Sequence, residues 1–532
     1  MGEFDYIIVG AGSAGSVLAN RLSADGRRRV LVLEAGGTDR RFWVQVPIGY
    51  GKAFYDARVN WKYTSEDVPE QYGQTSYWPR GKVLGGSSAI NAMVYVRGHA
   101  QDYDDWGRVA PGWSWSDVAP LFKRIEDWDG APSAARGQGG PIGVHDTAHE
   151  VHPINKAYLA AAGEAGIPFN PDYNGDQMEG AGLYQITTKD GIRASTARGY
   201  LRPAMKRANL EVVTKAHVTR VLFQGKRAIG VAYRHRGADK VARASGEVIL
   251  CGGAINSPQL LQLSGIGPGD VLKSAGIEVL RAAPEVGRNL RDHVGFDHVF
   301  HANVPTLNQS LRPWYGKLMA GMRYVLTRRG PLSLSVNQGG GFWRMDGGAG
   351  APDFQIYFSP LSYTRAPAGT RPMMSPDPFR GFRLGHNPCK PTSVGHLHIR
   401  TDDPFAAPEM HPNYLSTEHD RRLMIEGSRL VRRIAEAPSL QAVIERESYP
   451  GLEHGSDEAL LEAARREAGT VFHQCGTCAM GKVVDARLRV EGVDGLRIAD
   501  ASIFPDIPSG NTNAPAIMVG EKASDILLED AP

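Results

Sequence analysis

The chain opens with a strand, a glycine turn, a helix and a second strand, and that unit limits the folds open to it. Asp5 to Val9 (DYIIV) is a short apolar, β-branched run and reads as a buried strand. Gly10-Ala11-Gly12-Ser13-Ala14-Gly15 follows as a GxGxxG, and Ser16 to Ser23 has helical apolar spacing at Val17, Leu18 and Leu22. Arg29 to Leu33 is a second strand, ending in Glu34. A dinucleotide fold requires an acid about 20 residues beyond the glycines, and Glu34 meets that spacing. Gly10 permits the sharp turn out of the strand, Gly12 lets a pyrophosphate approach the backbone, and Gly15 lets the helix pack close on the strand. The helix start, with Ser13 and Ala14 in it, offers free N–H groups and a positive dipole end to phosphates. Glu34, followed by Ala35, can accept from ribose hydroxyls, and its charge disfavours a 2′-phosphate. The unit predicts nucleotide binding on an α/β frame and leaves NAD and FAD unseparated.

Composition excludes several other classes. Among 532 residues, 60 Lys and Arg face 57 Asp and Glu, a net charge of +3 with no basic stripe suited to nucleic acid. Cys251, Cys389, Cys475 and Cys478 are too few for a disulfide scaffold in a chain of this length. Cys475 and Cys478 form a CxxC, but no second ligand pair accompanies it, so all four read as small buried thiols and no metal is expected. Met1 to Tyr6 lacks the basic start of a signal peptide, and no apolar run reaches the roughly 18 residues of a membrane span. The expectation is a cytoplasmic protein without a transmembrane segment, with peripheral association at a membrane left open.

Two long motifs narrow the reading. Residues 78–98 read WPRGKVLGGSSAINAMVYVRG, and residues 252–267 read GGAINSPQLLQLSGIG. With FHQCGTCAMG at 472–481, LRIADASIFP at 496–505 and SGNTNAPAIMVGEKASDIL at 509–527, the chain resembles the glucose–methanol–choline (GMC) oxidoreductase family, its choline-dehydrogenase-like and bacterial alcohol-oxidising branch. The resemblance implies an α/β fold: a Rossmann-type FAD-binding domain in three pieces (1–155, 190–300, 465–532), intertwined with an α+β substrate-binding domain (156–189, 301–464). It implies FAD, with adenosine and diphosphate on Gly10 to Gly15, Glu34 and Ala35. Val83, Gly86, Asn91, Ala92, Met93 and Val94 would lie against the flavin, and Val218 against the adenine. Asp500, Ala501, Asn511 and Thr512 would close over diphosphate and ring. Ile90 stands where some members carry the His that bonds FAD covalently, so the implied cofactor is non-covalent.

Alcohol oxidation by a flavin needs a base for the hydroxyl proton and a path for hydride to the ring. Histidine titrates near neutrality, and the resemblance makes His473 the base. Asn511 would donate to the substrate oxygen as charge develops on it. Gln474 has no assigned role, and Asn513 is set apart from Asn511 as a backbone-ordering amide. Residues 62–79 form a long polar stretch expected to cover the flavin, and 346–352 and 359–382 read as loops. From His298 to Met345 there is no Asp or Glu, while Arg312, Lys317, Arg323, Arg328, Arg329 and Arg344 stand among Trp314, Tyr315, Tyr324, Phe342 and Trp343. Gln338 occupies the position where choline-oxidising relatives often carry Glu. A basic, aromatic lid of this kind suits a neutral or anionic alcohol, aromatic or apolar, which would be oxidised to the aldehyde. A choline-type dehydrogenase and a cyanohydrin lyase are the alternatives, and oxygen, a quinone or a soluble carrier stays open as acceptor.

Overall fold

The β-branched runs read from the sequence form the centre of a parallel sheet. In a computed structural model, described for residues 3–348, 350–363 and 375–531, β1 (Phe4–Val9) leads through helix α1 (Ser13–Leu22) to β2 (Val30–Glu34). The strands β3 (Leu210–Thr214), β4 (Ala216–Gln224), β5 (Arg227–His235) and β6 (Ala238–Leu250) complete the order β3-β2-β1-β6-β5-β4. β3, β2, β1 and β6 are parallel, Leu496–Ile498 extends the parallel set beyond β6, and β4 and β5 form an antiparallel meander on it. β1 and β2 are buried along nearly their whole length, as both-face burial under crossover helices requires. The chain leaves β1 toward β2 on one side and reaches β6 on the other. The carboxyl ends of β1 and β6 therefore border a topological switch point, where open α/β sheets bind ligands.

The second sheet is antiparallel throughout its described pairs. Ile444–Tyr449, Val294–Ala302, Gly381–Pro388, Phe354–Ser359, Gly339–Trp343 and Gly180–Leu183 lie in that order, and Gly469–Thr470 pairs with the start of Val294–Ala302. The strand Val294–Ala302 thus begins inside the stretch 190–300 that the sequence reading gave to the nucleotide-binding part, and it runs in the other sheet. Phe300, Phe354, Ile356, Phe358, Phe382 and Leu384 fill the core on one face of this sheet. The amphipathic helix Glu418–Glu436 covers that core with Leu423, Leu430, Val431 and Ile434.

Later in the chain come helix α2 (Trp314–Thr327), on the outer surface, and helix α3 (Asn513–Asp530). α3 returns to pack along α1. Gly520 allows the approach, because a Cβ there would stand 2.9 Å from the Ala14 backbone. Glu521, fully buried, ion-pairs with Arg21 at 2.7 Å and Arg124 at 2.9 Å and accepts from the Tyr200 hydroxyl at 2.7 Å. Residues 62–79 fold back as a short hairpin, Tyr63–Thr64 on Tyr77–Trp78. Ala349 and residues 364–374, within the stretches read as loops, lie outside the described residues.

Candidate active site

Two cavities meet at the carboxyl ends of the parallel strands. The first, about 150 Å³, is bordered by Val9 and Leu250 at the ends of β1 and β6 and by Gly12, Glu34, Val218 and Asp500. The second, about 710 Å³, reaches His473 and Asn511. Ser13, Arg80, Ser87, Ala501 and Ala516 border both, so the two are continuous.

The first cavity has the chemistry of an anion cradle. The N-cap of α1 is Gly12, with no side-chain cap, so the first-turn N–H groups are left for a ligand. Ser13 donates its hydroxyl to Asn513 Oδ1 at 2.9 Å, which brings the positive ends of α1 and α3 to one spot. Gly86, at φ +52°, faces Gly12 across the cradle, and a Cβ on it would stand 2.7 Å from Gly12 Cα. Glu34 accepts from the Ala11 N–H at 2.9 Å and the Gly36 N–H at 2.7 Å, and burial raises its carboxyl to about 7. Each of its oxygens keeps lone-pair capacity on the cavity side for hydroxyl donors. Asp500 Oδ2 accepts from the Gly253 N–H at 2.8 Å and the Ser257 hydroxyl at 2.6 Å.

Gly10, Ala14, Ala35 and Gly86 also border the first cavity, and Asn91, Ala92, Met93, Val94 and Thr512 border the second. Gly15 and Val83 border neither. Gly15 lets α1 rest on β1, since a Cβ there would meet Gly10 O at 2.0 Å. Val83 is buried in an apolar cluster with Val44, Ala53, Val59, Ala89 and the cavity-lining Ile90. Asn91 Oδ1 accepts from Arg193 at 2.8 Å and from the Met93 N–H at 3.1 Å, which holds Met93 at φ +68° on the cavity wall.

At the far end of the second cavity, His473 Nε2 lies 3.0 Å from Asn511 Nδ2. His473 Nδ1 lies 2.9 Å from His293 Nδ1, and His293 Nε2 lies 2.9 Å from the Cys389 carbonyl. These three contacts fix every ring proton. A carbonyl only accepts, so His293 Nε2 carries a hydrogen and His293 Nδ1 presents a lone pair. His473 Nδ1 must then donate to it, which leaves His473 Nε2 as the acceptor on the cavity side, where it faces the Asn511 amide. Burial lowers His293 to about 4. Burial, then the neighbouring His293, then Arg80 hold His473 well below the usual histidine range, so both rings are neutral at neutral pH. Gln355 Nε2 donates to Asn511 Oδ1 at 3.0 Å and turns the Asn511 amide donor toward His473.

A second network positions the His473 backbone. Asp292 Oδ1 accepts from the His473 N–H at 2.8 Å, and its Oδ2 accepts from Tyr414 at 2.5 Å, Thr470 at 2.6 Å and Gln474 at 2.8 Å. Arg80 donates to the Phe472 carbonyl at 2.9 Å and to Gln474 Oε1 at 3.0 Å. Gln474, left without a role by the sequence, is thus a buried bridge between Arg80 and Asp292 and does not border the cavity. Phe472, at φ +70°, is held in that conformation from both sides: its N–H reaches Thr470 Oγ1 at 2.7 Å.

Two expectations about the substrate side are corrected. Of the segment 298–345, only Val336 and Asn337 border the large cavity. Arg312, Lys317, Arg323, Arg328 and Arg329 are exposed to solvent, because α2 turns Ala320 and Tyr324 inward and its remaining faces outward. Gln338 is buried, accepts from the His152 N–H at 2.8 Å and from Asn155 at 3.1 Å, and does not border the cavity. The cavity wall carries instead Tyr50, Phe54, Ile90, Val94, Tyr357 and Phe472, with Arg383 hydrogen-bonded to Asp297.

His293, Asp292, Arg80 and Gln355 were not singled out from the sequence. Asp292 and His293 stand together in RDHVG, an adjacent acid and imidazole before a strand, and that was the available signal. The four cysteines are free and buried, and burial pushes each thiol well above its ordinary range. Among the described residues no helix is long and apolar enough to cross a membrane.

Comparison with known proteins agrees with this architecture. Family profiles described as GMC oxidoreductase match residues 4–295 and 391–520. The chain is 41% identical to an oxygen-dependent choline dehydrogenase of Photobacterium profundum, over 99% of this chain and 94% of that protein. It is 39% identical to an alcohol dehydrogenase [acceptor] of Pseudomonas putida, over 99% and 96%. Among solved structures, pyridoxine 4-oxidase from Mesorbium loti superposes with a TM-score of 0.89 at 30% identity, covering 100% of both chains. An FAD-dependent oxidoreductase from Chaetomium thermophilum superposes with a TM-score of 0.89 at 26% identity, covering 99% of both. With family profiles over most of its length and relatives near 40% identity over the whole of it, the chain is an FAD-dependent oxidoreductase of the GMC family.

Proposed function

We propose that this enzyme oxidises an uncharged primary alcohol, aromatic or otherwise apolar, to the aldehyde, with His473 as base and Asn511 as hydrogen-bond donor to the reacting oxygen. The observation that carries the reading is the pair His473 Nε2 and Asn511 Nδ2, hydrogen-bonded at 3.0 Å at the end of the large cavity, one an acceptor and the other a donor. A substrate hydroxyl that takes the place of this direct bond gives its hydrogen to Nε2 and accepts from Nδ2 on the same oxygen. As the proton moves to His473, Nδ1–H keeps its bond to His293 and the amide N–H strengthens against the growing negative charge. Bound FAD supplies the two-electron acceptor for the hydride that leaves the carbinol carbon. Gly12, Ser13, Glu34, Gly86, Val218, Asp500 and Ala501 would hold the adenosine diphosphate part, and Asn91 to Val94, Asn511 and Thr512 would flank the ring. Ile90 borders the cavity and has no nucleophilic atom, which supports a cofactor held without a bond at that position.

The preference for an uncharged substrate rests on the wall. Tyr50, Phe54, Met93, Val94 and Phe472 are apolar or aromatic, and the two acids on the wall, Asp297 and Glu467, are both partnered, Asp297 by Arg383, so a quaternary ammonium would meet no free carboxylate. Anaerobic mixing of the holoenzyme with a panel of aromatic, aliphatic, acidic and quaternary-ammonium alcohols tests the reading. Bleaching of the flavin visible band fastest with the aromatic or aliphatic members is expected; fastest bleaching by choline would sink the substrate assignment.

A further inference from the structure

Helix α2 carries its apolar residues on the side away from the protein. Ala320 and Tyr324 are its buried positions, and Tyr324 donates its hydroxyl to the Gly191 carbonyl at 2.9 Å. They join an apolar cluster with Tyr50, Phe54, Met93 and Val336, which border the large cavity. The outward side presents Trp314, Leu318, Met319, Met322, Val325 and Leu326, each between 50% and 82% exposed. At 3.6 residues per turn these six fall in an arc of about 140°. Exposed apolar residues scattered singly are ordinary, but a contiguous row of this kind marks an interaction surface.

Charge identifies what covers it. Arg312, Lys317, Arg323, Arg328 and Arg329 are all exposed at the ends and edges of the same helix, and no acid occurs from residue 298 to 345. A second copy of the chain docked through this face would set the row of cations against itself, since a two-fold interface is self-complementary. An anionic lipid surface complements both features: aromatic, Leu and Met side chains enter the boundary of headgroups and acyl chains, and Lys and Arg meet the phosphates. The helix has 14 residues, so at 1.5 Å per residue it is about 21 Å long, too short to span a bilayer and suited to lying in its plane.

We propose that α2 is an interfacial anchor that docks the enzyme on an anionic lipid bilayer. The opposite, inward side of the same helix joins the apolar cluster that borders the cavity, so the enzyme would work beside the phase in which apolar alcohols concentrate.

Flotation of the holoenzyme with phosphatidylcholine vesicles, with and without about one-third phosphatidylglycerol, tests this. Wild type should float with the anionic vesicles, bind neutral ones about tenfold less or weaker, and be released by high salt. The variant L318E/M322E/L326E should lose about tenfold or more of the partition while keeping its flavin content and melting temperature. K317E/R323E should lose the preference for anionic lipid, and it decides the matter if the triple variant fails to retain flavin. Wild type that stays unbound with anionic vesicles overturns the proposal. So does a dimer, seen by sedimentation, that L318E/M322E/L326E splits while no flotation occurs.

Discussion

Two neutral imidazoles in contact share one hydrogen bond, so one must donate and the other accept. Here the direction is set from outside the pair, by the Cys389 carbonyl behind His293. It follows that His293 is a positioning residue for the proposed base. Replacing it with Leu removes the acceptor for His473 Nδ1–H, frees the ring to adopt the other tautomer, and should slow flavin reduction by roughly 10–100-fold, by analogy with losing the partner that orients a metal-bound imidazole. A merely structural role would change folding without that kinetic effect, so the check is stopped-flow reduction of variant protein with full flavin content. His473→Asn should cost about 10²-fold or more in the same assay with FAD retained, and Asn511→Ala about 2–4 kcal/mol of barrier. Unchanged reduction in either would remove that side chain from the mechanism.

The pH response belongs to the same scale. Burial, His293 and Arg80 lower the His473 pKa, so its neutral, proton-accepting form persists below the ordinary histidine range and is lost only when pH falls through the depressed value. The acid limb of kcat/KM should therefore lie below pH 6.5, the ordinary value for histidine. A pH–rate profile whose acid limb centres at or above neutrality would contradict the neutral, buried ring.

At the scale of elements, the first turn of α1 works only because the helix can touch the strand it follows. A Cβ on Gly15 would stand 2.0 Å from Gly10 O, so Gly15→Ala must push α1 off β1. The shift would carry Ser13 and the free N–H groups away from the cradle. Lower flavin content and a loss of about 1–3 kcal/mol in stability are expected, read from the flavin-to-protein absorbance ratio and a denaturant melt. A fully loaded, equally stable Gly15→Ala protein would show that the helix has slack which the backbone contacts do not suggest.

For the whole molecule, one buried carboxylate joins segments distant in sequence. Glu521 on α3 meets Arg21 on α1, Arg124 and Tyr200, and it has no exposed surface. Glu521→Leu would leave the arginines facing an apolar group and detach the end of the chain that carries Asn511 to Asn513. Removing one partner of a buried pair typically costs about 3–5 kcal/mol, so the melting transition should fall and flavin should be released earlier on heating. Differential scanning fluorimetry that follows flavin and tryptophan separately would measure both.

The sequence by itself determined the nucleotide-binding unit. Strand, glycines, helix and acid are local, and their spacing is dictated by one turn and one helix, so Gly10 to Glu34 could be read as they stand. His473 and Asn511 were legible through the resemblance of their motifs, and they meet at hydrogen-bond distance. Tertiary structure alone decided the rest. His293 is 180 residues from His473 in sequence, and the pairing of Gly469–Thr470 with Val294–Gly295, continued by the Arg291–Cys475 bridge and the Asp292 contact to the His473 N–H, brings the two rings together. The direction in which α2 faces was equally beyond the sequence. Its row of apolar residues would suit a buried helix as well as a surface one, and its cations could have entered the cavity. Packing of Ala320 and Tyr324 against the interior turned both outward, because a helix can present only one side to the core it rests on.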